Sequence, residues 1–266
     1  MIPQEDDKAW TVLGVELGTP DGPLRGQVQI PTGPLTLSEI VPSALELTNI
    51  LASRANARSE RRGLPVSCRA GCGACCRQMV PLSIPEVFYL MERIAEMEPA
   101  ARDVAVNRFM AIDRRLDMAG MVEPLLDLKV AADPQRALNQ TYFEMKMACP
   151  FLVDESCSIH SVRPVACREY SVTNNPKFCA NPYAGGIDKV PMPLPLSAAL
   201  AWLASERLGV PPMLIPMTLV PRWASENAEL AEQRWPGVEL FSQFMKIAGS
   251  PPPEWAMNPD APPAGN

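Results

Sequence analysis

The sequence predicts a mostly α protein: an irregular helical domain with a metal-stapled, cysteine-rich loop region and a minor N-terminal β element. Three observations predict it. Apolar residues recur at helical spacing in several stretches between residues 38 and 249. Thirty prolines in 266 residues, more than twice the usual share of about 5%, keep those stretches short. The eight cysteines fall in two groups: Cys68, Cys72, Cys75 and Cys76 within nine positions, and Cys149, Cys157, Cys167 and Cys179 within 31.

Residues 1–35 read as an N-terminal extension. Two extended stretches, 10–17 and 24–30, flank Gly-Thr-Pro-Asp-Gly-Pro, so the extension is either a small hairpin or an ill-ordered arm. From Ser38, residues Ile40, Ala44, Leu47 and Leu51 draw one apolar stripe. Pro42 falls in the first turn of that helix, where proline is tolerated. Arg58, Arg61 and Arg62 load the last turn before Gly63, as the helix dipole favours.

Ser83-Ile84-Pro85-Glu86 has capping-box spacing and starts a helix running to about residue 97. Pro99 opens another, with Ala101, Ala105, Phe109, Ile112 and Leu116 on one face and Gly120 beyond its end. Asp133-Pro134 is a third start, leading through Leu138, Tyr142 and Met145 to Cys149. The two cysteine groups are thus separated by about seventy residues of helical bundle.

Segment 149–195 has little periodicity and many turn residues, and a stretch that long needs something other than a ladder to hold it. Metal ligation would do so. Residues 197–208 and 236–248 read as helices, each followed by glycine (Gly209, Gly249). Residues 211–221 carry four prolines and read as extended and packed. The whole of 36–249 reads as a single helical cysteine-cluster domain, and 250–266 as a disordered proline-rich tail.

The formal charge of −6 argues against a nucleic-acid surface. The acidic start lacks the basic and apolar regions of a signal peptide, and no apolar run approaches the 18 or more residues of a membrane span. A cytoplasmic protein is expected, where thiols stay reduced and clustered cysteines favour metal over disulfides. A disulfide scaffold fits the even cysteine count but has no secretion signal behind it. A protein partner is left open.

Thiolates bind soft and borderline metals, and two or three intervening residues let one loop place two sulfurs on one ion. Gly71 and Gly73 argue against a regular helix over 68–76. They favour a tight loop whose backbone comes close to a cluster and whose N–H groups donate to sulfur. Side chains of adjacent Cys75 and Cys76 diverge, so one ligates while the other bridges, binds a second metal or packs. Arg61, Arg62, Arg69, Arg77, Arg163 and Arg168 flank the two groups; they either offset a buried anionic site or form a solvated face. His160, the only histidine, lies three residues after Cys157 and is a candidate ligand or neighbour of one. Pro164 opens a short helix with Cys167 in its first turns, an N-terminus that would favour the thiolate.

Cys68-x3-Cys72-x2-Cys75-Cys76, then Cys149-Pro-x-Leu, Cys157-x-Ile-His-x2-Arg-Pro-x2-Cys167-Arg-x-Tyr and Cys179, resembles the YkgJ-type cysteine-cluster family over about residues 65–180. The resemblance implies zinc or iron chelation, or an iron–sulfur site. A lysine N-methylase acting on flagellin is similar in its cysteine motif, but the family implies no one agreed reaction. No catalytic residue or reaction is therefore assigned.

Cys68, Cys72 and Cys75 also resemble the radical-SAM spacing. That family has an aromatic residue where this chain has Ala74, and the alternating strands and helices of its barrel are not visible here. Cysteine-nucleophile catalysis would need a histidine base, and only His160 is available. Met192, Met213 and Met217 read as core filler rather than copper ligands.

Two readings remain. In the first, the eight cysteines and His160 surround an iron–sulfur cluster of the [4Fe–4S] type with a redox or undefined catalytic role. In the second, one or two zinc ions staple the irregular segment to the helices in a structural or interaction module. Eight thiols exceed one zinc site and the vicinal pair is awkward for tetrahedral zinc, so the first is favoured.

Overall fold

Trp10–Leu17 (β1) and Leu24–Pro31 (β2) pair antiparallel, from Trp10↔Pro31 to Leu17↔Leu24. The structure is a computed structural model that describes residues 9–127 and 135–250. The turn residues around Asp21-Gly22 therefore close a hairpin. β3 (Pro34–Leu35) follows, and then a 3-10 turn, Ser38–Ile40, leads into α1 (Val41–Arg61). After the first cysteine group come β4 (Pro81–Leu82), α2 (Ile84–Ala95), α3 (Pro99–Met118), α4 (Val122–Leu126) and α5 (Gln135–Glu144). The second cysteine region holds β5 (Leu152–Val153), β6 (Ser156–Cys157) and α6 (Val165–Glu169). The chain ends with α7 (Leu196–Leu208), β7 (Ile215–Pro216), α8 (Val220–Glu226), β8 (Trp235–Pro236) and α9 (Gly237–Gly249).

The architecture is mostly α with a minor N-terminal β element. Two pairs of short strands clasp distant parts of the chain, and a third forms a local hairpin. β3 pairs with β8, β4 with β7, and β5 with β6. Leu17, Leu24 and Ile30 of the hairpin join Leu51, Leu90, Leu200, Leu203 and Phe244 in one large core, and a smaller core gathers Leu116, Leu125, Tyr142, Met147 and Leu219. Among the described residues, no helix is long and apolar enough to cross a membrane.

Local signals decide most helix ends. The capping box at Ser83 forms, with the Ser83 N–H donating to Glu86 Oε2 at 3.0 Å. Glu98 caps α3 by accepting from the N–H groups of Ala100 and Ala101. Ala105, Phe109, Ile112 and Leu116 are buried as expected, whereas Ala101 faces solvent. The helix start at Asp133-Pro134 and the proline-rich tail after residue 250 lie outside the described residues.

Segment 211–221 is extended only through Pro216. A 3-10 turn, Met217–Leu219, then runs into α8, because Pro221 sits in the first helical turn, where its missing N–H breaks no bond.

Segment 149–195 is irregular, but it is not without ties. Buried Glu86 on α2, 2% exposed, accepts the Val165 N–H at the start of α6 at 2.8 Å. Glu169, at the end of α6, accepts the N–H groups of Leu196 and Ser197 at 2.6 and 3.2 Å and the Ser197 hydroxyl at 2.6 Å, and so caps α7. Buried Arg168 donates to Asn49 Oδ1 on α1 and to the carbonyls of Ser161 and Arg163. The sequence requires something other than a ladder to hold this segment, and charged side chains supply part of that hold. They satisfy backbone groups at the starts of α6 and α7 and fix α6 against α1, α2 and α7.

Candidate metal centre

The first cysteine loop begins where Ser67 docks on the second region. Its N–H donates to the Val172 carbonyl at 2.8 Å and its hydroxyl to Thr173 at 2.9 Å. The loop turns at Gly71, whose φ of 80° lies in the left-handed region open to glycine. It ends in the 3-10 turn Ala74–Arg77. The two cysteine groups meet through main-chain bonds. The Cys149 N–H donates to the Cys76 carbonyl at 2.7 Å, and Gln78 Nε2 donates to the Cys179 carbonyl at 3.2 Å.

The β5–β6 hairpin carries Cys157 and turns at Asp154 and Glu155, with φ of 46° and 58°. Two left-handed residues in a two-residue loop are the requirement of a type I′ turn. Arg77 holds the turn against the first loop by donating to Glu155 Oε2 and to the Gly73 carbonyl, each at 2.9 Å. From the other side, Arg108 on α3 donates to the carbonyls of Pro150 and Leu152 at 3.0 Å.

Gly73 is needed for this close approach. A Cβ there would stand 2.7 Å from Leu152 Cδ1, 2.6 Å from Glu155 Oε2 and 3.2 Å from Glu155 Cα. The sequence places this glycine in a tight loop beside a cluster; in the structure its nearest neighbours belong to the hairpin. Gly73→Ala is expected to lower folding stability by about 1–2 kcal/mol, because the added methyl overpacks the contact. Urea unfolding of the two proteins measures the difference.

All eight thiols are free; Cys179 is buried, Cys68 exposed and the rest half-buried. Burial is the main cause that raises Cys68, Cys149, Cys157, Cys167 and Cys179 above the ordinary thiol range, with Cys149 pushed up to about 12. In each of these five, a charge on Cys75 adds to the rise. Cys75 itself is raised first by its hydrogen bond with Cys76 and then by burial. Cys72 acts on both Cys68 and Cys179. Thiols of the two groups are therefore electrostatically coupled to one another, Cys75 in the first group to Cys149, Cys157, Cys167 and Cys179 in the second.

The expectation for Cys167 is corrected. α6 is only five residues long, and burial, followed by the charges of Cys149, Cys75 and Cys157, lifts the thiol well above its ordinary value.

His160 is exposed on the 3-10 turn His160–Val162 and is held below the ordinary imidazole range, first by the Arg163 charge and then by burial and Arg168. No thiol contributes to that shift. The six flanking arginines divide in role. Arg163 favours the thiolates of Cys68, Cys75, Cys157 and Cys167, while Arg77 pairs with Glu155 and Arg61 with Asp21.

Among the described residues, no three cysteine, histidine or carboxylate side chains converge as a bound ion would require. The donor set nevertheless fits a soft metal. Crowded thiolates destabilise one another, and a cation among them removes that penalty. Side-chain rotation would have to bring the sulfurs together.

Several contributors are not cysteines. Met217 lies 3.3 Å from Cys149 Sγ through its sulfur, and the Tyr170 hydroxyl donates to Cys179 Sγ at 4.0 Å. Burial pushes the Glu169 carboxyl up to about 7. Tyr170 already stands in the Cys167-Arg-x-Tyr motif, and Glu169 fills its unspecified position, two residues after Cys167.

A family model named CxxCxxCC, described as a putative zinc- or iron-chelating domain, matches residues 67–184. No curated protein and no solved structure gives a significant match to the chain. The matched segment contains every cysteine of the chain, so over residues 67–184 the chain is similar to this cysteine-cluster family.

Proposed function

We propose that the domain holds an iron–sulfur cluster of the [4Fe–4S] type through its cysteines, in a reducing cytoplasm, and serves a redox or catalytic role. The observation that carries the reading is the gathering of thiols from both groups around Cys75, with Arg163 beside them. Ligands would come from Cys68, Cys72, Cys75, Cys76, Cys149, Cys157, Cys167 and Cys179. His160, whose shift comes from guanidinium groups, stands outside the ligand set we propose.

A bound cluster supplies electron transfer at a potential set by its hydrogen bonds, charge and exposure. This chain's residues can tune each of these. The Tyr170 hydroxyl donates toward the Cys179 sulfur, Arg163 offsets thiolate charge, and the core behind Cys149 and Cys167 keeps water from that side.

We rank the zinc-staple reading second: Glu86, Glu169 and Arg168 also tie segment 149–195 to the helices, so zinc would share that task rather than carry it alone. Anaerobic purification, visible absorbance and metal analysis test the proposal. Iron with acid-labile sulfide is expected; a colourless protein with stoichiometric zinc overturns it. Chelating the metal is expected to lower the thermal midpoint while leaving a cooperative transition, which scanning calorimetry checks. Loss of that transition would show that metal, rather than the buried charged network, holds the segment.

A further inference from the structure

A cleft of about 380 Å³ opens between α1 and the turn leading into α6, on the side of Arg163 and Arg168 away from the core. Its polar lining includes Asn49, Ser53, Asn56 and Glu60 from α1, together with Arg163 and Arg168. Two guanidinium groups therefore face it against one carboxylate, and Glu60 is exposed. Such a balance is unusual on a chain of formal charge −6.

Neither arginine is paired with a carboxylate among the described residues. Arg168 spends its donors on neutral oxygens: Asn49 Oδ1 and the carbonyls of Ser161 and Arg163. Arg163 donates no side-chain hydrogen bond among the described residues; its Nε is buried, so a ligand in the cleft would meet the terminal N–H groups. A guanidinium without a carboxylate partner beside a water-accessible cleft offers its planar fork to an oxyanion. Serine and asparagine side chains on the opposite wall offer further donors to the same ligand.

We propose that this cleft binds a small oxyanion, the carboxylate or phosphate group of a small molecule, through Arg163. The site does not depend on the identity of the metal, so its failure and that of the iron–sulfur reading are separable.

The test is calorimetric titration of the full-length protein with inorganic phosphate and with succinate, each against sodium chloride of matched ionic strength. Two substitutions probe the cleft. Arg163→Gln removes the unpaired donor, and Asn56→Asp places a carboxylate on the facing wall with almost no change in shape. Each is expected to weaken binding about tenfold or more, the value of one charge-assisted hydrogen bond. In Asn56→Asp, metal content and thermal midpoint should stay as in the wild type, since Asn56 lies on α1 and no cysteine lines the cleft. Tighter phosphate binding identifies a phosphoryl group as the natural ligand feature, and tighter succinate binding a carboxylate. No binding above the chloride control, or binding that neither substitution weakens, overturns the proposal.

Discussion

Replacing Glu86 by alanine is expected to lower folding stability by about 3 kcal/mol, from one lost helix cap and one orphaned buried N–H. The carboxylate does two separate jobs. Its Oε2 accepts from the Ser83 N–H and hydroxyl at the start of α2, and its Oε1 accepts from the Val165 N–H at the start of α6. Removing the side chain leaves these donors buried, since Ser83 is fully buried and Val165 is too. Glu86→Gln separates the effects. Its amide oxygen can satisfy one helix end, but its NH₂ faces a donor at the other. A loss of about half the alanine value is therefore expected. Denaturant midpoints of the three proteins at constant m-value provide the comparison. Equal stability of wild type and Glu86→Ala would remove this carboxylate from the account of how α6 is held.

This outcome bears on what the sequence could reveal. Ser83-Ile84-Pro85-Glu86 is a local signal, and it forms as the spacing requires because both partners lie within one turn. The helical stripe through Ala105, Phe109, Ile112 and Leu116 was equally readable, since a period of 3.6 needs no knowledge of the partner it packs on. The second bond of Glu86, to Val165, spans 79 residues and has no local signature. Glu169 capping α7 and Arg168 reaching Asn49 are long-range in the same way. Their lack of a local signature is why the sequence offered metal, and not these side chains, as a restraint on segment 149–195.

The candidate site divides along the same line. Spacing identified the eight thiols as a group, because chelating loops repeat at short intervals. It could not show that Cys76 binds Cys149 through main-chain atoms, or that Gly73 makes room for the β5–β6 hairpin. Cys167 marks a different limit. A helix start does precede it, but with only five residues of helix, desolvation dominates over the dipole.

Phe151→Ala is expected to carry the largest loss, about 3–5 kcal/mol, the usual range for emptying a buried aromatic site. Phe151 is 1% exposed and meets Phe109 of α3 edge-on, with centroids 5.5 Å apart and planes at 76°. That packing fixes the backbone between Cys149 and the hairpin, whose Ser158 donates its N–H and hydroxyl to the Phe151 carbonyl. The carbonyls on either side of Phe151, at Pro150 and Leu152, accept from Arg108. Cys149 and Cys157 are therefore positioned by one aromatic anchor. In Phe151→Ala the metal bound per folded chain should fall together with stability. In Phe151→Leu, which keeps most of the volume, the loss should be about 1–1.5 kcal/mol with metal retained. Chemical unfolding and metal analysis of both variants decide the matter. If alanine lowers stability but leaves metal content intact, the anchor serves the core alone, and the two cysteines are placed by the Cys76–Cys149 bond and the Arg77–Glu155 pair instead.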